Sequence, residues 1–430
     1  MAESNIDSPG INQSYDIVIV GGGMVGAALA LALVRGQVAQ GQPLRILVFE
    51  ALALPQTPTQ PLQPSYDARS TALSLGTRHL FEYLGVWPGL AAQASPIGHI
   101  EVSDRGHLGT ARLDAVKERV PALGYVVENR SLGQALLAPL EHEAVTFCCP
   151  AEVVAAQAIP AGMRIEYEYQ GESHCCDSRL LVIADGGRSG LREQLQISTV
   201  ETPYQQCAVV ANLSLDRPHN HTAYERFTDT GPMALLPLTH DEQGRARSAL
   251  VWSVPLEQAD ELLGAEDAVF MQRLQDRFGY RAGRFVAVGE RHGYPLKRLL
   301  ASEQVRTGLV VLGNAAHALH PVAGQGFNLA LRGAMVLAQE LLQAQAERRD
   351  IGALETLQRF QSQLHWDQTK TIGFSDRVTQ LFSSPATTQV LARHLGLLGL
   401  ELFAPLKHVF AQSAMGLDMP LPAQGRSGSV

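Results

Sequence analysis

Cysteine is scarce in this chain, with five residues in 430, at Cys148, Cys149, Cys175, Cys176 and Cys207. No two stand at Cys-x-x-Cys spacing and the number is odd. Neither a zinc ribbon nor a disulfide-stapled secreted domain is indicated, and reduced thiols in a cytoplasm are expected. Charge is also sparse, at 18% of residues, and its balance of −8 has the wrong sign for a general nucleic-acid binder. No apolar run approaches roughly eighteen residues, so a membrane-spanning helix is not expected. The first residues carry acids rather than a basic start and an apolar stretch, so they do not read as a secretory signal. What remains is a chain long enough for two or three domains, with 46% hydrophobic residues to build a large core.

The stretch Asp16–Glu50 organises the rest. Asp16–Val20 is short, apolar and β-branched, which suits a buried parallel strand. It leads into Gly21, Gly23 and Gly26 at G-x-G-x-x-G spacing, then an Ala/Leu-rich helical segment, then a second apolar run ending on Glu50. Gly21 suits the tight turn, Gly23 lets backbone approach a pyrophosphate, and Gly26 lets the helix lie close to the strand. Glu50, about twenty residues on at a strand tip, is placed to accept hydrogen bonds from an adenosine ribose. No Lys-Ser or Lys-Thr closes the loop, which disfavours a nucleoside-triphosphate P-loop. Whether the dinucleotide is NAD or FAD stays open at this point.

Two later stretches carry the same flavour. Leu180–Gly186 is a buried strand ending in Asp185 and Gly186, and a carboxylate at a strand's carboxyl end is where ligands of doubly wound sheets sit. Val310–Gly313 is another buried strand, opening Gly313–Asn328. There Pro321, Gly324 and Gly326 bring backbone close to something flat, and a helix begins whose N-terminal N–H groups face a developing negative charge. Arg69 is a candidate contact for phosphate or ribose oxygens. Between these, residues Cys207–Trp252 alternate with period two and suggest an antiparallel sheet, with Tyr224, Phe227, Leu235, Pro237 and Trp252 as candidate pocket walls. His317 and His320 lack a carboxylate at facial-triad spacing, so no metal site is assigned.

These three motifs stand in register with Val102–His107, Leu123–Glu128, Glu225–Thr228, Phe374–Arg377 and Ala414–Leu417. Together they resemble the FAD-dependent aromatic hydroxylases of the para-hydroxybenzoate hydroxylase fold, nearest their ubiquinone-biosynthesis branch, over nearly the whole chain. The resemblance implies an α/β fold: a Rossmann-like FAD-binding domain, an antiparallel-sheet substrate domain and a helical C-terminus. The FAD-binding domain would be discontinuous (1–95, 128–195 and 288–365), the substrate domain would take 96–127 and 196–287, and 366–430 would form the C-terminal segment. It also implies that Gly21, Gly23, Gly26 and Glu50 hold the ADP half of FAD, and that Arg69 and Arg130 hold the ribityl–pyrophosphate region. Asp185 would lie near the pyrophosphate and Gly313 and Asn314 near the ribityl chain. Pro321, Gly324, Gln325, Gly326, Phe327 and Asn328 would line the ring, Pro321 and Gly326 closest. Asn314 departs from the family's usual Asp, keeping an acceptor oxygen without the charge. Gly333 stands where an acid is common, and no role is assigned to it.

The activity implied is hydroxylation of a polyprenylated methoxyphenol through a C4a-hydroperoxyflavin, with NAD(P)H as transient electron donor and dioxygen as co-substrate. The cofactor carries that chemistry, so no protein base or metal is required. A cytoplasmic protein with peripheral contact at the inner membrane follows, with other ubiquinone-biosynthesis proteins as partners. The leucine-rich stretch 391–417 is either the docking element or an ordinary buried helix. Three rivals remain open on the residues: an NAD(P) dehydrogenase without flavin, which leaves Gly313–Asn328 unexplained; a flavin reductase that inserts no oxygen; and a non-catalytic flavoprotein scaffold.

Overall fold

The computed structural model describes residues 14–37, 43–53, 69–105, 110–140, 144–241, 243–321, 324–383 and 404–417. Residues 1–13, 38–42, 54–68, 106–109, 141–143, 242, 322–323, 384–403 and 418–430 lie outside them.

The apolar runs form the expected parallel sheet. Strand Ser14–Val20 pairs in parallel with Ile46–Phe49 on one side and Glu172–Ile183 on the other. Val145–Cys148 and Leu309–Val311 extend it in parallel at the two flanks. These strands are buried on both faces, which is why they read as continuous apolar runs rather than alternating ones. Helix Met24–Gly36 and the long helix Gln325–Ala346 cover one face. Strand Glu172–Ile183 also pairs through its first half with the antiparallel hairpin Ala151–Ile159 and Gly162–Tyr169, which covers the other face.

A second, nine-stranded sheet is built on the strand Thr199–Leu215. Its pairings are antiparallel except for Thr222–Thr228 against His99–Asp104, which run parallel. Strand His292–Ala301, grouped with the nucleotide domain in the sequence reading, pairs antiparallel with Thr199–Val210 in this second sheet. Helices Leu256–Gly264 and Asp267–Phe278 pack on one face. The break falls at residues 265–266, where Ala265 and Glu266 both take extended backbone angles. A small three-stranded sheet of Ser70–Ser74, Ser95–Ile97 and Gly124–Glu128 joins the two larger ones.

Helix Leu354–Ser383 packs along Gln325–Ala346, pinned by a buried bidentate pair: Arg332 donates to Asp367 at 2.7 and 3.0 Å. The last described helix, Ala404–Ala414, buries Ala411, and Met415 just beyond it is buried too, against the core beside Leu75 and Val126. Met415 accepts a backbone hydrogen bond from Gly76 at 2.8 Å. This part of the leucine-rich stretch is therefore a packed C-terminal helix. No helix among the described residues is long and apolar enough to cross a membrane.

Candidate active site

The carboxyl ends of the parallel strands converge on the glycine turn. Gly21 donates to the Phe49 carbonyl, Ala184 to Val20 and Leu312 to Ile183, each at 2.8 Å, so the tips of four strands are tied together. Gly21 takes φ +105°, and a Cβ there would lie 2.5 Å from the Ala184 carbonyl oxygen. At Gly26 a Cβ would meet the Gly21 oxygen at 1.9 Å, so only glycine lets the helix start this close to the strand. Helix Met24–Gly36 has Gly23 as its N-cap and no side-chain cap, leaving first-turn N–H groups for a ligand.

Glu50 sits against this turn. Its carboxylate accepts from the Leu52 N–H at 3.0 Å and from Gly22 and Ala51, while burial raises its pKa above the ordinary value. Asp185, at the end of the neighbouring strand, is solvent-accessible on one side. The surrounding protein still pushes its carboxyl up to about 6 by desolvation, against a hydrogen bond from the Ser189 hydroxyl at 2.7 Å. Gly187 lies beside Asn314, and Gly313, at φ +63°, packs against Val25. Glycine turn, Glu50, Asp185 and Asn314 thus form one cluster.

A cavity of about 1400 Å³ opens from it. Met24, Arg69 and Asn314 line one part, Pro321 and Gly324–Asn328 another, and the small sheet, the nine-stranded sheet and the last helix much of the rest. Met24 of the first glycine-rich bend and Pro321 and Gly324–Asn328 of the second, about three hundred residues apart, border the same space, while Gly21, Gly23, Gly26, Glu50 and Asp185 lie outside its lining. Gly324 takes φ +59° as the N-cap of helix Gln325–Ala346, with no side-chain cap. Arg69 stacks over Tyr294, 4.5 Å from the ring centroid, joining the small sheet to the large one at the cavity wall.

Asn328 and Arg130 differ from the rest. The Asn328 amide is spent on protein. It accepts from Ser74 N–H at 2.9 Å and Thr77 hydroxyl at 2.7 Å, and donates to Ala72 and Gly324 carbonyls at 3.0 and 2.8 Å. Arg130 is exposed on the first turn of helix Asn129–Leu137 and does not line the cavity.

Among the suggested pocket walls, Tyr224 and Phe227 line the cavity, whereas Leu235 and Trp252 are buried in the core on the far face of the sheet. Pro237 is buried and does not line it either. In a pleated strand a one-residue offset moves a side chain to the other face, and the liners are Ala234, Leu236, Ala249 and Val251.

Sequence reasoning missed Arg192. It is buried and donates to the Ala315 carbonyl at 2.9 Å and the Gly187 carbonyl at 3.4 Å. Its only local signal is that it follows Asp185 by seven residues on a short helix, Gly190–Gln194.

This surface suits FAD. The glycine turn offers backbone N–H groups and no side chain. At Gly326, on the cavity wall, a Cβ would meet nothing within 4 Å, which leaves room for a flat ring above the helix N-terminus.

The family described as FAD binding domain matches residues 14–370. The chain is 34% identical over 402 residues to the ubiquinone hydroxylase UbiL of Rhodospirillum rubrum, covering 93% of this chain and 89% of that one. It is 30% identical over 408 residues to the 3-demethoxyubiquinol 3-hydroxylase of Escherichia coli, covering 94% of this chain and 100% of the relative. The crystal structure of p-nitrophenol 4-monooxygenase PnpA from Pseudomonas putida superposes with a TM-score of 0.72 at 16% identity, over 94% of this chain and 98% of that one.

Proposed function

The chain belongs to the FAD-dependent hydroxylases of ubiquinone biosynthesis, and from that premise we propose that its cavity holds a polyprenylated methoxyphenol ring against the flavin. Bound FAD, reduced by NAD(P)H, supplies the oxygen-activating chemistry. The protein supplies position and exclusion. N–H groups of Gly23–Gly26 meet the pyrophosphate, and Glu50 accepts hydrogen bonds from the adenosine ribose. Asp185 lies by the pyrophosphate, and Asn314, with Gly313 shaping its turn, by the ribityl chain. The first turn at Gln325–Phe327 points its positive dipole end at the ring system, where negative charge gathers on reduction. Pro321, Gly324 and Gly326 keep that edge free of side chains. Arg69, backed by Tyr294, completes the grip on the ribityl–pyrophosphate region, with the exposed Arg130 a second candidate for it.

The observation that carries this reading is the cavity itself. At about 1400 Å³ it exceeds the roughly 300–1,000 Å³ of ordinary ligand pockets, and its sheet side is largely apolar. That leaves space for an aromatic ring and the first units of a prenyl tail beside the flavin, with water kept away from the reacting oxygen. Lys407, Phe410 and Ala414 of the last helix close part of it. Peripheral contact with the inner membrane or with partner enzymes would deliver so apolar a tail.

Purified protein should show flavin absorbance and, with NAD(P)H and labelled dioxygen, place one labelled oxygen on a prenyl methoxyphenol. A colourless protein, or label recovered only in water and peroxide, would end this reading. The quinone precursor that accumulates in a strain lacking the protein identifies the ring position. Co-sedimentation of the full chain with anionic lipid vesicles tests the membrane contact.

A further inference from the structure

The cavity floor can be followed strand by strand through its register. One rung runs Val102, Glu225, Ala234, Val251, Val210 and His292, and all six line the cavity. The adjacent rung presents Ile100, Ala223, Leu236 and Ala249. Glu225 is the one carboxylate in this aliphatic wall, flanked directly by Val102 and Ala234.

The other cavity carboxylates have partners. Asp241 pairs with Arg245 at 2.7 Å, and Glu290 lies 3.6 Å from His292. Among the described residues, Glu225 has neither a hydrogen bond nor an ion pair. The charged groups on elements around it are engaged elsewhere. On strand His99–Asp104, Glu101 pairs with Arg112 and Arg281. Arg226 belongs to the opposite face, whereas Asp104, two residues along the strand from Val102 and opposite Phe227, shares the cavity face and has its own partner. Strand Gly231–Leu238 carries no titratable residue. Arg247 is bound to Glu128 at 2.6 Å. On helix Leu354–Ser383, Asp376 is bound to Arg298, Arg377 is exposed and Lys370 has its own partner. Lys407 of the last helix reaches the cavity and is likewise engaged. Burial alone pushes the Glu225 carboxyl up to about 8. A carboxyl in such a wall costs stability unless something polar comes to meet it.

We propose that Glu225 receives the hydroxyl group of the aromatic substrate, accepting its hydrogen bond and taking its proton as the ring is attacked. The phenol O–H bond breaks and its proton passes to a carboxylate oxygen. The electron pair stays on the phenol oxygen and is donated into the ring, toward the carbon that accepts the new oxygen. No reagent beyond those of the hydroxylation is consumed. A base whose ionisation lies near neutral pH is matched to this transfer. The assignment rests on the hydroxylase reading above.

The test uses the FAD-loaded full chain with Glu225→Gln, Glu225→Asp and Glu225→Leu, a short-chain prenyl methoxyphenol, and the methyl ether of that phenol. FAD content is the folding control. Binding, read from perturbation of the flavin spectrum, should favour the phenol over its ether by about tenfold or more in the wild type. That preference should vanish in Glu225→Leu. In turnover, Glu225→Gln should lower kcat for hydroxylation by about a hundredfold, with little change in KM and with loss of the acidic limb of the pH profile. Glu225→Asp should recover part of the rate. Equal preference for phenol over ether in all variants, or wild-type kcat and pH profile in Glu225→Gln, overturns the assignment. A wild type that hydroxylates no phenol yet distinguishes phenol from ether through Glu225 would refute the hydroxylase reading and the proton transfer, and leave only the hydroxyl-accepting role of Glu225 standing.

Discussion

The Arg192 guanidinium donates to the carbonyl oxygen of Ala315 across 123 residues of chain, at 2.9 Å. Its other nitrogen reaches the carbonyl of Gly187. One buried cation therefore ties the turn after Asp185 to the turn that presents Asn314. Both turns leave the sheet at strand ends, where no ladder hydrogen bonds remain to hold them.

Replacing Arg192 by Leu should strand both carbonyls and cost about 2–3 kcal/mol, the usual scale for hydrogen bonds from a charged group. Arg192→Lys keeps the charge but lacks the fork that spans two acceptors, so it should recover only part. Chemical unfolding measures the loss, and equilibrium dialysis of FAD measures its consequence. Unchanged stability together with unchanged FAD affinity would mean that the bridge is incidental.

Two glycine-to-alanine changes should behave oppositely. At Gly26 the added methyl falls 1.9 Å from the Gly21 oxygen, so the helix must back away, with a loss of stability beyond the ordinary 1–3 kcal/mol or so of overpacking. At Gly326 the methyl enters open space on a helix, where alanine is favoured by about 0.5–1 kcal/mol. Protein stripped of FAD should therefore melt at the same or a higher temperature with Gly326→Ala, while its FAD affinity falls. A variant that holds FAD as tightly as the wild type would show that the ring does not lie over Gly326.

Asn328 offers a third test, because all four of its bonds are to protein. Asn328→Ala should cost about 2–4 kcal/mol by leaving buried partners unmet. Asn328→Asp keeps the two acceptor contacts but sets a carboxylate beside the Ala72 and Gly324 carbonyls, so at neutral pH it should be no better than alanine. Denaturant midpoints at fixed pH would decide. A stable Asn328→Asp would mean that the amide's donors are dispensable.

The glycine turn was legible in the sequence because its spacing, its flanking apolar strands and Glu50 follow one another within about thirty-five residues. Asp185 and Asn314 were legible for a similar reason, each ending a buried apolar run. The structural role of Asn328 was not legible, since its partners Ser74 and Thr77 lie about 250 residues away and nothing local marks them. Arg192 was hidden for the same reason. The cavity floor was half legible: period-two alternation announced a sheet, but which parity faces the cavity depends on what packs behind it. Helices Leu256–Gly264 and Asp267–Phe278 cover the face carrying Leu235 and Trp252, leaving Ala234 and Val251 to the cavity. Glu225 belongs to this second set and was visible only as a letter in a family motif.

The last prediction concerns pH, where buried groups pull in opposite directions. His317 and His320 are both almost wholly buried, and desolvation lowers each to about 4. A histidine with a depressed native pKa leaves the unfolded chain holding more protons between about pH 4 and 6.5. Stability then drops as pH falls through that window, by up to about 3 kcal/mol for each histidine. Glu225 acts in the reverse sense. Its native pKa near 8 means that the folded state holds the extra proton from roughly pH 4.5 upward, so stability drops as pH rises toward 8. Asp185 adds to Glu225 only between about pH 4 and 6, and weakly, because one side of it meets solvent. Carboxylates held low by arginines, such as Asp177 beside Arg164, act below about pH 4. Two buried histidines outweigh the acids below pH 6.5, and Glu225 stands alone above it, so protein stripped of FAD should be most stable between about pH 6 and 7. Thermal unfolding across pH 4.5–8.5 measures this, with Glu225→Gln expected to gain on the wild type as pH rises and His320→Gln expected to flatten the acid side. If the Glu225→Gln difference stayed constant from pH 5 to pH 8, that carboxyl would be ionising at its ordinary value, and the apolar, partnerless wall around it would not be setting its ionisation.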